Sequence, residues 1–255
     1  MKLLVITALL SLTGFGAQAQ VTETREVKNY TTLEVKNGIE VIFTQSDSST
    51  LKVETDTKEN LSNIITQQKG NTLKIYMKQQ ETDSPGVHMS ARIYISQKGV
   101  THFDASQGAL VRIDGTLQGA EVALALSSGA TFSGNIETTE KCTIKSSGGA
   151  GFRGRLVTKS LVADVTGGAF LKLSGKAGTT EIFCSSANIQ AGKFETDRAN
   201  VRAQKASAVA IYTGLYIKAE TDSSSAITYY GEPATTDLGT NSYAVKRENH
   251  KFSLN

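Results

Sequence analysis

Residues 145–154 read KSSGGAGFRG, and close variants of that phrase recur along the chain. SSGATFSG starts at Ser127, TGGAFLKLSG at Thr166, SSANIQAG at Ser185, ASAVAIYTG at Ala206 and SSAITYYG at Ser224. Aligned on alanine, the phrases fall at Ala109, Ala130, Ala150, Ala169, Ala187, Ala208 and Ala226, in steps of 21, 20, 19, 18, 21 and 18 residues. A glycine follows each alanine four to six residues later: Gly115, Gly134, Gly154, Gly175, Gly192, Gly214 and Gly231. A fixed step near twenty residues is the mark of a repeat architecture.

Within each unit the period is two. Ala130, Phe132, Gly134 and Ile136 share one parity, and Thr131, Ser133, Asn135 and Glu137 the other. The next unit sets Ala150, Phe152, Gly154 and Leu156 against Gly151, Arg153 and Arg155. This is strand alternation, with apolar residues inward and polar ones outward. No helical stripe is legible. Short strands on turns of 18–21 residues with glycine at the corners predict an all-β fold, a parallel β-solenoid of the right-handed β-helix-like kind. Small residues suit a corner where side chains stack coil on coil, and glycine adopts positive φ there without penalty. A β-sandwich fits less well, because it needs turn signals every 8–12 residues or so.

The two ends differ from this pattern. MKLLVITALLSLTGFGAQAQ carries Lys2, an apolar run from Leu3 to Leu12 and an Ala17-Gln18-Ala19 cleavage pattern, which predicts a signal peptide over 1–19 and export. That run is shorter than the roughly 20 residues that span a bilayer, and no other apolar stretch is long enough, so no membrane-embedded segment is expected. No cysteine stands at the cleavage site, so no lipid anchor is expected there.

From 20 to 103 the rhythm changes to longer alternating strands at Leu33–Val35, Ile39–Phe43, Leu51–Val53, Leu73–Met77 and Arg92–Ile95. Turns are expected at Asn37-Gly38, Gln45–Ser49 and Gly70-Asn71, and a polar loop at Gln79–Val87. This portion either caps the coils of 104–255 or continues them, so that 20–255 is one domain. Some cap is required, because an open solenoid end exposes strand edges.

Composition narrows the chemistry. The formal charge is +3, or +2 without Lys2, and no basic cluster stands out, so nucleic acid is not an expected partner. Cys142 and Cys184 fall on the inward parity in different columns two coils apart, roughly 9–10 Å at the coil spacing. That is too far for a disulfide, so buried free thiols are expected. Asp114, Glu137, Asp164 and Asp197 share no repeat column, whereas glycoside hydrolysis needs paired carboxylates about 5–10 Å apart. Arg153 and Arg155 have no acidic partner at the matching place in neighbouring coils and read as a solvated charged face. His88, His102 and His250 are isolated, no zinc spacing is present, and the glycine-rich coils are not phosphate loops. No catalytic residue, metal site or cofactor is expected.

Two features suit binding: the outward Ser/Thr/Gly column, and the late tyrosines Tyr212, Tyr216, Tyr229 and Tyr230. Tyrosines on neighbouring coils form a stacking platform for carbohydrate, unless they pack as core and end cap.

The stretch REVKNYTTLEVKNGIEVIFTQSDSSTLKVETD from Arg25, LSNIITQQKGNTLKIYMK from Leu61, ARIYIS from Ala91 and the SSGA-type coils resemble the head GIN domain family of auto-transporter adhesins frequent in Bacteroidetes. The most specific parts are VKNGIEVIF and NTLKIYMK. The tripeptide of the family name stands here as Gly38-Ile39-Glu40, with Glu where the family has Asn, so no role attaches to that third position. The resemblance implies a β-helical fold and an extracytoplasmic setting, and it brings no catalytic residues. The expectation is an exported, non-catalytic, adhesion-type binding protein at the cell surface, in the periplasm or secreted, with a cell-surface glycan or protein as partner. The alternatives are a carbohydrate-active β-helix enzyme (a polysaccharide lyase or hydrolase) and a purely structural scaffold.

Overall fold

A computed structural model describes residues 20–78 and 91–249. The expected leader, the loop Gln79–Val87, His88 and His250 lie outside them. The chain is nearly all strand and winds a parallel β-solenoid of about 8 turns. It opens with β1 (Val21–Arg25), β2 (Thr32–Val35), β3 (Glu40–Thr44) and β4 (Thr50–Thr55). Then come a short helix α1 (Lys58–Asn63), β5 (Ile64–Lys69), β6 (Thr72–Met77), β7 (Ala91–Ser96) and β8 (His102–Ala105). The long coil strands are β9 (Leu110–Leu126), β10 (Thr131–Ser146), β11 (Gly151–Thr166), β12 (Phe170–Ser185), β13 (Asn188–Gln204) and β14 (Ala208–Thr221). β15 (Ala226–Tyr230), β16 (Thr235–Asp237) and β17 (Val245–Glu248) close the chain.

The recurrent phrase is a stack of tight turns. Gln107, Ser128, Gly148 and Gly167 each have positive φ, and so does the glycine after each of them. The amides of Ala109, Ala130, Ala150 and Ala169 close these turns onto the carbonyls three residues back, at 3.1–3.2 Å. Two successive left-handed residues with that closure define a mirror-image type I′ turn, the reason for Ser-Gly and Gly-Gly here. Each turn also bonds to the next: Gly108 N to Ser128 O, Gly129 N to Gly148 O, and Gly149 N to Gly167 O, at 2.9–3.0 Å. Asn37-Gly38 begins the same ladder, donating from Gly38 N to Gln107 O across 69 residues of sequence at 2.9 Å.

The alanine alignment needs one correction. Asn188, Ala208 and Ala226 are register partners, so Ala208 and Ala226 sit one place beyond the alanine column and point outward. Buried Ser207 and Ser225 take the column instead, after Ala187. Nor do the glycines form one column, since Gly154 pairs with Leu173 and Gly175 with Leu156.

Pairing shifts at Ser133/Asn135 and Thr138/Lys141 divide the coil of β10 into three segments. The first segment follows the turn, the second runs between two corners, and the third returns to the next turn. Their outward side chains make three lateral faces. Inside, Phe43, Phe103, Phe132 and Phe152 stack with ring centroids 5.3, 5.3 and 5.9 Å apart. Such edge and tilted contacts add to the area these rings bury. One buried cluster runs from Tyr30 to Val245. Cys142 and Cys184 are buried and unbridged, and burial pushes the Cys142 thiol up to about 12.

The five strands expected from 20 to 103 are present, but their stacking is not sequential. β2 pairs with both β6 and β8, and β3 with both β7 and β9, so the first coil laid down lies between two later ones. β1–β4–β7 and β5–β6 pair antiparallel and flank the parallel stack. The helix α1 corrects the expectation of none. Six residues are too few to display a stripe, and its signal is the cap at Thr57, whose hydroxyl accepts from Asn60 N at 3.1 Å.

Candidate functional site

Several charged residues on the third face neutralise one another. Lys74, Glu34 and Asp104 are successive register partners, and so are Arg202 and Glu220. Arg202 donates to Glu220 Oε2 at 2.6 Å, and Glu34 meets Lys36 and Lys74 at 2.5 and 3.1 Å. Burial alone would raise the Glu34 carboxyl, but hydrogen bonds and charge from the two lysines outweigh it and hold it low. Burial, then the adjacent Glu34 charge, raise Asp104. This carboxylate pair was not anticipated. Its signal is that both residues stand two places before a turn, as Glu34-Val-Lys36 and Asp104-Ala-Ser106. None of Asp114, Glu137 and Asp164 is a register partner of another. Among the described residues no group of three or more His, Cys, Asp or Glu is placed to hold a metal ion.

The first face is paired at its start, where Arg92 and Arg112 meet Glu40 at 3.0 and 3.7 Å, but differs on β11 to β14. The third residue after the corrected column gives Arg153, Lys172, Gln190 and Ala210, which are direct register partners on β11 to β14. They alternate with the buried Phe152, Leu171, Ile189 and Val209, so their side chains stand outward. Arg153 and Lys172 are like charges directly opposite on neighbouring strands, an arrangement that costs stability unless something compensates it. Neither has a carboxylate partner among the described residues. Arg153 instead lies over the Phe170 ring, 4.6 Å from its centroid. Phe170 in turn covers Gly151, where a Cβ would come within 2.5 Å of the ring. Arg155 departs from expectation: it bonds Glu137 at 3.1 Å, diagonally across the coils.

These side chains rim a groove of about 640 Å³. Gly154, Gly192 and Ala210 leave its floor low, Lys193 and Ser174 stand at its corner side, and Tyr230 walls its far end. No carboxylate lines it. Burial, and then the Glu248 carboxylate, raise the Tyr230 phenol.

The four tyrosines are not all brought together. Tyr212 and Tyr230 are register partners, but Tyr212 opens onto a separate hollow with Glu232, Arg247 and Glu248. Tyr229 is buried in the core. Tyr216 lies on the third segment beneath Arg198, 5.9 Å from ring centroid to guanidinium. His102 is exposed, and its ring meets the hydroxyl of its neighbour Thr101 at 2.9 Å. A larger hollow of about 780 Å³ lies near Gln45, but its groups are mutually satisfied. The Gln45 amide clamps the backbone of Gln118 at 2.7 and 2.8 Å, and Lys98 meets Asp47 at 2.6 Å.

A family model described as "Putative auto-transporter adhesin, head GIN domain" matches residues 29–233. Solved structures share the fold. A "putative adhesin" from Parabacteroides merdae superposes with TM-score 0.80 at 17% identity, covering 92% of this chain and 98% of that one. One from Parabacteroides distasonis gives 0.79 at 19%, covering 91% and 98%. A "Putative lipid binding protein" from Parabacteroides distasonis gives 0.76 at 16%, covering 92% and 98%. No curated protein matches the chain. Among the described residues no helix is long and apolar enough to cross a membrane.

Proposed function

Because this chain belongs to the head GIN domain family of auto-transporter adhesins, we propose that it is an exported adhesion protein that binds its partner, without catalysis, along a lateral face of the solenoid. The observation that carries this reading is the contrast between the facing cations Arg153 and Lys172 and the ion pairs elsewhere on the coils. Arg202 with Glu220 and Lys74 with Glu34 on the third face, and Arg92 and Arg112 with Glu40 at the start of the first face, are paired within the protein, while Arg153 and Lys172 have no carboxylate partner among the described residues. Export is supported by the Lys2, Leu3–Leu12 and Ala17-Gln18-Ala19 pattern. The shared core from Tyr30 to Val245 supports treating the N-terminal strands and the coils as one continuous domain. Of the tyrosines, Tyr230 is the one that lines the groove, but it is buried, and we assign the contact role to Arg153 and Lys172 instead.

The test is fractionation of producing cells with sequencing of the mature N-terminus, followed by a screen of the purified protein against glycans and matrix proteins. A mature chain starting at Gln20 outside the cytoplasm, with saturable binding and no new reducing or unsaturated sugar ends, is expected. A cytoplasmic protein retaining Met1, or release of cleaved polysaccharide, overturns the reading.

A further inference from the structure

We propose that the first-face groove is a binding site for acidic saccharides, with Arg153 and Lys172 as the anion-recognising pair. This rests on the adhesion reading and gives it a site and a ligand class. Two cations held opposite one another on adjacent strands repel, and the strand pairing does not let the backbone part to relieve them. A bound anion supplies the missing counter-charge. Arg153 is already oriented by the Phe170 ring, so its planar fork is partly fixed before a ligand arrives.

The remaining groups suit a sugar better than a bare ion. Gln190 and Ser174 offer an amide and a hydroxyl for ring hydroxyls. A volume of about 640 Å³ fits a ligand of a few sugar units. The 27 Lys and Arg of the chain are offset by 24 Asp and Glu to a formal charge of +3, whereas nucleic acid binding draws on an extended basic surface. Carboxylated and sulfated sugars share the required chemistry.

The experiment is titration calorimetry of the full exported protein at low salt with four probes. These are an oligogalacturonate, its carboxyl-reduced neutral counterpart, a sulfated oligosaccharide of similar length, and inorganic phosphate. An Arg153→Gln, Lys172→Gln double variant and an Arg202→Gln control on the third face run beside it, with circular dichroism to check folding. At least one acidic oligosaccharide is expected to bind, at least ten-fold more tightly than the neutral one or phosphate. The double variant is expected to lose ten-fold or more, the control less than two-fold. Which acidic probe binds separates carboxylate from sulfate recognition.

Equal binding of the neutral oligosaccharide, or no acidic binding, overturns the ligand class. Acidic binding that survives in the folded double variant overturns the site. Adhesion of the double variant to its target surface is measured in parallel. Adhesion retained there removes the site while leaving the adhesion reading intact, and a wild-type protein that adheres to nothing removes the adhesion reading itself.

Discussion

The α-carbon of Gly154 lies so close to the backbone of Gly134 that a Cβ built on it would stand 1.8 Å from the Gly134 carbonyl oxygen. The obstacle is backbone, not a movable side chain, so two coils cannot close at this corner over anything larger than hydrogen. Gly154→Ala is therefore expected to destabilise the protein by about 3 kcal/mol. Gly129→Ala tests the alternative cause: φ is +76° and nothing lies within 4 Å of the added Cβ, so only the left-handed backbone opposes it. It is expected to cost about 1–2 kcal/mol. Denaturant unfolding of both variants checks the order, and equal losses would show that the clash is relieved by movement of the coils.

The phenylalanine stack makes a second, independent prediction. Phe132 is fully buried between Phe103 and Phe152, whereas Phe170 is half-buried on the outside. Phe132→Ala is expected to cost about 3–5 kcal/mol through lost burial and the cavity left behind. Phe170→Ala removes its contacts with Arg153 and with Gly151 beneath it, an effect of about 1 kcal/mol. Thermal unfolding separates the two, and it should leave Phe170→Ala close to wild type.

Near the C-terminal end the turn ladder is held by a carboxylate. Lys205 and Ala206 both have φ of 58° without being glycine, a costly conformation for L-residues. Their amides donate to Asp222 Oδ2 at 2.7 Å and Ser224 Oγ at 2.9 Å, and Asp222 Oδ1 accepts from Ser224 N at 3.0 Å. The Lys205 amide first, with the Ser225 and Ser224 hydrogen bonds, lowers the Asp222 carboxyl from 3.8 to about 2. A lowered folded-state value means the group supports folding above its ordinary range and loses that effect as pH falls through about 2. The Lys205 amide resonance is therefore expected to titrate with a midpoint near that value, and Asp222→Asn to abolish the step. An unchanged titration in the variant would assign it to another carboxylate.

The candidate groove was half legible. Arg153 is visible as an outward residue from parity alone, but Lys172 and Gln190 join it only once the units are aligned on the turns. Counting three residues on from Ala150, Ala169 and Ala187 recovers all three. The same rule fails from Ala208, because there the column residue is Ser207. Arg155 shows the limit of parity. Its partner Glu137 is not opposite it but diagonal, where the long guanidinium arm reaches across the corner.

What the sequence by itself determined is local. Period-two alternation sets which side chains point inward, and Ser-Gly and Gly-Gly pairs set where two successive left-handed residues turn the chain. Those constraints act within a few bonds and repeat at each coil, so they survive reading without a structure. What only the tertiary structure decided is which coils touch. β2 and β3 lie between strands that follow them by some 40–70 residues, and no local preference records that order. Charge pairing depends on it too. Coils about 4.8 Å apart bring residues roughly twenty apart into contact, and one bulge shifts a whole column. That register neutralises Arg202 with Glu220 while leaving Arg153 opposite Lys172.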